Sequence, residues 1–287
     1  RRTRDNAAGD FPRPFCFREN DMHRLSIARE KQVAIVRFDN PPHGYMDAPM
    51  VEALDQVSRD LVADDSVRAI VFTGALDGVF IQHYDVSELN TLGKGLRKRG
   101  LKCSEARMAP ERTLDHIFDR LSTAPKPVIA AINGNAMGGG FEFALACDLR
   151  IAQKGPYSIG LPEINIGILP GGGGTQRLAR LVGPARALEL VLRGRTVDPD
   201  EAARLGMVHE AVDSPVIERA LTLAHELAAK SPLAVGHIKR LIRNAGQQSL
   251  DNDLALERTL FLDLLVSDQA DRLMQEFVDG VRDIRTR

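Results

Sequence analysis

Three consecutive glycines at the head of an apolar stretch place the strongest constraint on how this chain can fold. The segment is NGNAMGGGFEFALACD, residues 133–148, in which Gly138, Gly139 and Gly140 precede an apolar run that carries one carboxylate, Glu142. Glycine is a poor helix former, and an unpaired carboxylate in apolar surroundings costs free energy. Both choices therefore need a structural or chemical reason.

A helix that begins at these glycines supplies a chemical reason. The first backbone N–H groups of a helix have no intrahelical acceptor, and glycine lets a carbonyl oxygen of a ligand approach them closely. Glu142 lies three residues after Gly139, so both face the same side of the helix. The pattern predicts a carboxylate beside an oxyanion donor, which suits proton transfer next to a polarised carbonyl. The structural alternative is a tight helix–strand contact in which Glu142 forms a salt bridge.

The glycine-rich segments do not match nucleotide-binding motifs. In GILPGGGGT, Gly167 and Gly172 have the spacing of a P-loop, but two glycines follow where the motif requires Lys and then Ser or Thr. Neither glycine cluster has the GxGxxG spacing of a dinucleotide fingerprint after the first strand. The sequence therefore disfavours nucleotide binding.

Alternating strand-like and helix-like segments predict an α/β fold with a buried sheet. RLSIARE and QVAIVRFD are typical of a hairpin, and VRAIVFTG and KPVIAAING are continuous apolar strands. Apolar residues recur at helical spacing from Met50 to about Val62, and a further helix is predicted from Leu114 to Leu121. From about Asn90 to Pro110 the periodicity is lost, which predicts a mobile segment or an insertion.

Short strands and helices continue after the glycine segment. DLRIAQ, YSIGLPEI and MVHEAV are predicted to be strands or extended segments. TQRLARLVG and PARALELVLRG are predicted to be helices that stop at Gly183 and Gly194, the first of them capped by Thr175. DPDEAARLG predicts a short helix with Asp198 as N-cap and Glu201 completing a capping box.

The C-terminal part of the chain is predicted to be helical and unusually apolar. Helices are expected after Ser231-Pro232 and from about Ser249 to the end. Their apolar faces are formed by Leu254, Leu260, Phe261, Leu264, Leu265, Leu273, Met274 and Phe277. Such a tail suggests docking on a neighbouring subunit, and docking on the chain's own core is an equally weighted alternative.

Charge and cysteine usage narrow the class of protein. The net charge of -1 disfavours nucleic-acid binding. The sequence contains no run of about 18 apolar residues, so no membrane span is predicted. Cys16, Cys103 and Cys147 are widely separated and odd in number, which predicts no disulfide framework and no metal site, and favours a reducing, cytoplasmic location. The first twenty residues lack the apolar region of a signal peptide and are predicted to be a flexible tail rather than a transit peptide.

Three segments resemble the enoyl-CoA hydratase/isomerase (crotonase) superfamily: PVIAAINGNAMGGGFEFALACDLRIA, IGLPEINIGILPGGGGTQRLARLVG and GRTVDPDEAARLGMVHEAV. The resemblance runs from about Leu25 to Phe277. It implies a spiral of repeated ββα units with a helical C-terminal trimerisation region, assembled as a homotrimer or a dimer of trimers. The implied division is an N-terminal extension (1–24), a core with an acyl-CoA site (25–212) and a helical oligomerisation region (213–287).

The resemblance also implies that two backbone N–H groups hold the thioester oxygen of an acyl-CoA substrate, with no separate cofactor. One belongs to Gly139. The other belongs to Tyr84, in GVFIQHYDVSEL, where members of the superfamily usually carry F-x-A-G-A-D. Here His83 and Tyr84 replace a small Gly-Ala pair and follow Gln82, which is also expected to bind substrate. The bulkier residues are expected to contact substrate, narrow the site or shift the reaction, and a stacked or solvated aromatic is the alternative.

Two glutamates indicate the type of reaction. Glu142 in GGGFE and Glu163 in LPEINIGILPG match the pair of carboxylates that hydratases of the superfamily carry. By resemblance, Glu142 deprotonates the water that attacks the β-carbon, and Glu163 donates a proton to the α-carbon. Pro162 stiffens the approach to Glu163, and Gly138, Pro162 and Gly171 are expected to lie against the substrate.

The leading prediction is therefore an enoyl-CoA hydratase, which adds water across the 2,3 double bond of an enoyl-CoA thioester. One alternative is another reaction of the superfamily, such as double-bond isomerisation or C–C hydrolysis. The other is a non-catalytic protein that binds acyl-CoA.

Overall fold

The computed structural model describes residues 24–102, 104–106 and 108–285. The N-terminal extension predicted for residues 1–24 lies outside this part of the chain except for Arg24, as do Cys16 and Cys103. The strands are β1 (Leu25–Glu30), β2 (Val33–Phe38), β3 (Ala69–Gly74), β4 (Gly78–Ile81), β5 (Val128–Ile132), β6 (Gly134–Met137), β7 (Leu149–Gln153), β8 (Ile159–Gly160), β9 (Thr196–Val197) and β10 (Glu210–Val212). The helices are α1 (Ala48–Ala63), α2 (Val86–Lys98), α3 (Thr113–Thr123), α4 (Gly139–Ala146), α5 (Gly174–Val182), α6 (Pro184–Leu192), α7 (Pro199–Arg204), α8 (Val216–Ala228), α9 (Pro232–Asn244), α10 (Leu250–Leu265) and α11 (Asp268–Val278), with a 3-10 helix at Glu163–Ile166.

Six strands form the larger sheet, in the order β1-β2-β3-β5-β7-β10. β1 and β2 form the predicted hairpin, which is antiparallel and turns at Lys31 with a φ of 54°. All the following pairs are parallel. Parallel strands are normally covered on both faces, which explains the continuous apolar sequences of β3 and β5.

Helices cover both faces of the larger sheet. On one face, α8 packs small residues such as Ala224 against Val33 and Ile35. On the other face, Ala34 and Val36 join a core that includes residues of α1, α3 and α4. These four strand residues all belong to β2. Because successive side chains of a strand point to opposite faces, β2 contributes to both cores.

A smaller sheet, in the order β4-β6-β8-β9, was not predicted from the sequence. Three successive units each contribute one strand to each sheet, as the pairs β3 and β4, β5 and β6, and β7 and β8. In the first two units a helix follows, α2 after β4 and α4 after β6. The predicted α/β spiral of repeated ββα units is thereby confirmed.

Adjacent units approach each other backbone to backbone, and glycine is required where they do. A Cβ atom added at Gly134 would lie 1.8 Å from the carbonyl carbon of Gly78. Within the first unit, one added at Gly74 would lie 1.8 Å from the carbonyl oxygen of Val79. Only a residue without a side chain allows this contact, which brings β6 and the start of α4 against β4.

The segment from Asn90 to Pro110, predicted to be mobile or inserted, is helical in its first part. Helix α2 continues to Lys98, and the side chain of Asp85 caps it by accepting the N–H of Ser87. None of the residues of α2 is buried. The helix therefore lacks the buried apolar stripe on which the sequence analysis relied, which explains why this helix was not predicted.

The predicted helix caps are partly corrected. Helix α5 begins at Gly174, with Gly173 as N-cap at a φ of 87°, so Thr175 lies inside the helix and is not the cap. Asp198 caps α7 by accepting the N–H of Glu201, as predicted. The carboxylate of Glu201, however, accepts hydrogen bonds from two arginine side chains rather than completing a capping box. YSIGLPEI is a strand only at its centre, because Glu163 begins the 3-10 helix.

The C-terminal residues form the predicted helices, and much of their apolar surface is exposed in the single chain. Leu260 is buried, whereas Phe261, Met274 and Phe277 are exposed. Helix α10 packs on α9, and α11 continues from it. In the described part of the chain, no helix combines the length and the hydrophobicity needed to cross a membrane.

Candidate active site

A cavity of about 700 Å³ lies between α1, α2, the starts of α3 and α4, and the segment 162–172. Apolar side chains such as Val51, Leu89 and Ile168 form much of its wall. Gln82, predicted to bind substrate, does not line the cavity, and its backbone pairs with Gly44 and Met137. The other predicted site residues all line it: His83, Tyr84, Gly138, Gly139, Glu142, Pro162, Glu163 and Gly171.

Tyr84 and Gly139 both line the cavity, and their backbones lie close together. A Cβ atom added at Gly139 would lie 3.5 Å from the nitrogen of Tyr84. Gly139 is the first residue of α4, so its N–H has no intrahelical acceptor. Tyr84 pairs with Met46 through the carbonyl of His83 and the N–H of Asp85, which leaves its own N–H unused.

Within the residues that the structure describes, neither of these two N–H groups has an acceptor. Two free donors so close together can hold one carbonyl oxygen and the negative charge that develops on it. The oxyanion role of Tyr84 and Gly139 stays a prediction, which the closeness of the two donors supports.

Glu142, on the first turn of α4, is held by backbone donors from a distant loop. It is only 4% exposed, and its Oε1 accepts the N–H of Gly172 at 2.7 Å and that of Gly174 at 2.8 Å. Burial raises the pKa of Glu142 above its ordinary value, and these two hydrogen bonds, with the positive charges of Arg177 and Arg112, oppose that rise. Backbone N–H groups thus replace the salt bridge of the structural alternative, and they favour the ionised carboxylate.

Glu163 lies on another wall of the same cavity, in a different environment. Its Oε2 is buried and has no hydrogen-bond partner among the described residues. Burial, with a further contribution from the negative charge of Glu142, raises the pKa of Glu163 to about 7. Near neutral pH Glu163 can therefore carry a proton, whereas Glu142 accepts two backbone N–H bonds that favour its ionised form.

Gly138 permits the approach of Glu163 to the start of α4. Its φ of 50° is in the left-handed region, and a Cβ atom there would lie 3.0 Å from Oε1 of Glu163. A larger residue would be strained and would also press on the carboxylate. The first glycine of the run therefore serves the second carboxylate, while Gly139 presents the free N–H.

The side chains of His83 and Tyr84 form an aromatic wall. The ring of His83 stacks on Tyr45 with centroids 4.5 Å apart, and its Nδ1 lies 2.7 Å from the carbonyl oxygen of Tyr84. The hydroxyl of Tyr84 donates to Oε2 of Glu88 at 3.0 Å. Burial, together with this hydrogen bond, raises the pKa of Tyr84 to about 12, so the phenol stays neutral. The stacked aromatic considered as an alternative is thus observed for His83.

The sequence analysis did not single out Arg112, which lines the cavity, or Glu88, which binds Tyr84 in the cavity wall. Arg112 donates to the carbonyl of Gly171 at 2.6 Å and also binds Asp115. Glu88 accepts from the hydroxyl of Tyr84 and from the N–H of Ala48 at 3.1 Å. In the sequence, the three-residue spacing of Arg112 and Asp115 is typical of an ion pair on a helix. The contacts of Arg112 with Gly171 and of Glu88 with Ala48 join distant segments and have no signal in the sequence. No group of three His, Cys, Asp or Glu side chains placed to hold a metal ion occurs among the described residues.

A family model described as enoyl-CoA hydratase/isomerase matches residues 28–282. The chain belongs to the enoyl-CoA hydratase/isomerase family. The resemblance found in the sequence is thereby confirmed. Among curated relatives of this family member, a short-chain-enoyl-CoA hydratase from Clostridium acetobutylicum is 32% identical over 263 residues, which cover 90% of the chain and 96% of the relative.

Solved structures share the fold of this hydratase/isomerase family member. DspI from Pseudomonas aeruginosa is 34% identical, with a TM-score of 0.80 over 94% of the chain and 99% of DspI. An enoyl-CoA hydratase from Bacillus anthracis is 29% identical, with a TM-score of 0.80 over 90% of the chain and 96% of the hydratase. These likenesses confirm the predicted crotonase-like architecture.

Proposed function

We propose that this chain is an enoyl-CoA hydratase in which Glu142 and Glu163 share the acid–base work. The observation that carries the proposal is the pairing of two different carboxyl groups in one cavity, beside two free N–H donors. Oε1 of Glu142 accepts the N–H groups of Gly172 and Gly174, which favours its ionised form, and the buried oxygen of Glu163 has no donor among the described residues. Addition of water to an enoyl thioester needs one group to accept a proton and another to supply one.

The proposed reaction assigns each group one step. The thioester oxygen of a 2-enoyl-CoA accepts hydrogen bonds from the N–H groups of Tyr84 and Gly139. Glu142 takes a proton from water as the water oxygen bonds to the β-carbon and the electron pair of the double bond moves toward the thioester. Glu163 then delivers its proton to the α-carbon, which gives a 3-hydroxyacyl-CoA. The two N–H donors stabilise the negative charge that develops on the thioester oxygen between these events.

Acyl-CoA is the proposed substrate, and the proposal includes no separate cofactor. The apolar wall of the cavity suits an acyl chain, since burial of its methylene groups favours binding. The exposed apolar residues of α10 and α11 support assembly through the C-terminal helices, as a trimer or a dimer of trimers. A cytoplasmic location remains a prediction from the cysteine usage.

Hydration of enoyl-CoA thioesters by the purified full chain tests the function. We expect loss of the absorbance of the conjugated enoyl thioester with crotonyl-CoA or with a longer or aryl 2-enoyl-CoA, and formation of the 3-hydroxyacyl-CoA. Double-bond isomerisation would instead convert a 3-enoyl-CoA into the 2-enoyl form without water uptake. Tight binding of these thioesters without turnover would favour the non-catalytic alternative and overturn the hydratase proposal.

The pH profile should carry the signature of Glu163. The active form requires Glu163 protonated and Glu142 ionised, and the pKa of Glu163 is raised to about 7. As the pH rises through this value the proton is lost, so kcat/KM for hydration is expected to fall about tenfold per unit of pH above it, because kcat/KM follows ionisations of the free enzyme.

Two further measurements isolate this limb of the profile. Hydration neither takes up nor releases a proton overall, so kcat/KM for the reverse dehydration must show the same limb. In the residual activity of Glu163→Gln the limb should be absent. A profile that stays flat to pH 9 in the unmodified enzyme would refute the assignment of the acid to Glu163.

A further inference from the structure

Two arginines bind consecutive carbonyl groups of the loop that holds Glu142. Arg177 donates to the carbonyl of Gly172 at 2.6 Å, and Arg112 donates to that of Gly171 at 2.6 Å. The N–H groups of Gly172 and Gly174, on the same loop, donate to Oε1 of Glu142. The two arginine side chains thus bind carbonyl oxygens of the loop, and the carboxylate of Glu142 binds its N–H groups.

The loop needs glycine at three positions to present these N–H groups to Glu142. Gly173 has a φ of 87°, and a Cβ atom there would lie 2.5 Å from Nη1 of Arg177. Cβ atoms added at Gly172 and Gly174 would each lie 2.9 Å from an oxygen of Glu142. A glycine backbone is conformationally permissive, so something outside the loop must select this conformation.

Arg177 lies outside the loop and can stabilise this conformation. It is partly buried, and within the described residues it makes no ion pair. Its guanidinium lies over the ring of Phe118, 5.5 Å from the centroid, and directs an N–H at the Gly172 carbonyl. Partial burial of a cation without a carboxylate partner is unfavourable, and here it is offset by the ring, the carbonyl and the nearby charge of Glu142.

Arg112 supports the same loop from the opposite end. It precedes α3, is fixed by two hydrogen bonds from its side chain to Asp115, and reaches Gly171 across the cavity wall. Its side chain is more exposed than that of Arg177, so solvent screens its charge more strongly.

We propose that Arg177, assisted by Arg112, is a positioning residue for hydration: it holds the 171–174 loop so that two N–H groups bind one oxygen of Glu142 and leave the other facing the cavity. The inference rests on the proposed function, because it assigns Glu142 the role of base. Neither arginine donates directly to Glu142, so each acts through the loop and through its charge.

The test compares three variants with the unmodified full-length protein. Arg177→Met keeps much of the length and the contact with Phe118 but removes the charge and the donors. Arg177→Lys restores the charge and one donor. Arg180→Met is the matched control, since Arg180 is an exposed arginine on the same helix and does not line the cavity.

For Arg177→Met we expect kcat to fall by about ten- to a hundredfold, the scale of a catalytic group that is displaced rather than removed. KM should change much less. Loss of a positive charge near Glu142 raises the pKa of that carboxyl group, so the acid limb of kcat/KM should move to higher pH. Arg177→Lys should return the limb toward its original position, and Arg180→Met should match the unmodified enzyme. An unchanged kcat and acid limb in Arg177→Met would overturn the proposal.

A second readout does not depend on turnover. Hydrogen exchange, followed by mass spectrometry on a peptide that contains residues 171–176, should be faster in Arg177→Met than in the unmodified protein, with exchange of the larger sheet unchanged. Unchanged protection of this loop would refute the positioning role even if the unmodified protein hydrates no enoyl-CoA. Inactivity of the unmodified protein would refute the proposed function, so the two failures are distinguishable.

Discussion

Replacing Glu142 with glutamine is expected to lower kcat for enoyl-CoA hydration by about two to four orders of magnitude, the range for loss of a general acid–base group. The amide oxygen of glutamine can accept the same two N–H bonds from Gly172 and Gly174 that Oε1 accepts now. The loop should therefore stay in place while the charge and the proton acceptor are lost. Steady-state kinetics with the best enoyl-CoA substrate measures the effect.

Two companion variants make the result specific. Glu163→Gln is expected to lower kcat on the same scale, because it removes the proton donor and leaves the cavity filled. Glu189→Gln removes a carboxylate on α6 that pairs with Arg193 at the surface, and it should leave kcat unchanged. Retained activity in Glu142→Gln, with thermal unfolding like that of the unmodified protein, would show that another group is the base.

The second large effect is expected for Gly139→Pro, which should lower kcat/KM by about a hundred- to a thousandfold, the scale of one lost oxyanion donor. Proline has no N–H to donate. The first position of a helix tolerates proline, because that N–H has no intrahelical acceptor in any case. We therefore expect a large loss in kcat/KM and a much smaller loss in the free energy of unfolding.

Gly139→Ala separates the donor from the added bulk. A Cβ atom at this position would lie 3.2 Å from the Cβ of Tyr84, a tight contact that alanine and proline share. Alanine keeps the N–H, whereas proline replaces its hydrogen with the ring Cδ, so the ratio of kcat/KM between the two variants reports loss of the donor together with the carbon that takes its place. Equal values for Gly139→Ala and Gly139→Pro would mean that the N–H of Gly139 does not bind the thioester oxygen.

The larger sheet could be predicted from the sequence because its strands have to be apolar on both faces. β3 and β5 are buried between helices, and such strands read as continuous apolar runs. The smaller sheet was missed for the opposite reason. Its strands β8 and β9 have two residues each, and β6 reads GNAM. They form because neighbouring units pack closely, and a local pattern of residues carries little of that information.

Helix α2 was likewise not predicted, because its local sequence carries little information about it. It contains Gly93 and Gly95 and buries no residue, so its local sequence gives little indication of a helix. Contacts made by its start hold it in place: Glu88 accepts hydrogen bonds from Tyr84 and from the N–H of Ala48. These partners lie in different parts of the chain and meet only in the folded protein.

The sequence by itself determined the α/β alternation, the glycines that free the N–H of Gly139, and the presence of two glutamates in the order of a hydratase. Each of these depends on a residue and its near neighbours along the chain. Only the tertiary structure decided how the two carboxyl groups differ. Glu142 receives donors from residues 30 and 32 positions away, whereas the buried oxygen of Glu163 receives none from the described residues. The free energy of an ionised carboxylate depends on the donors, charges and solvent around it, and packing of distant segments sets all three.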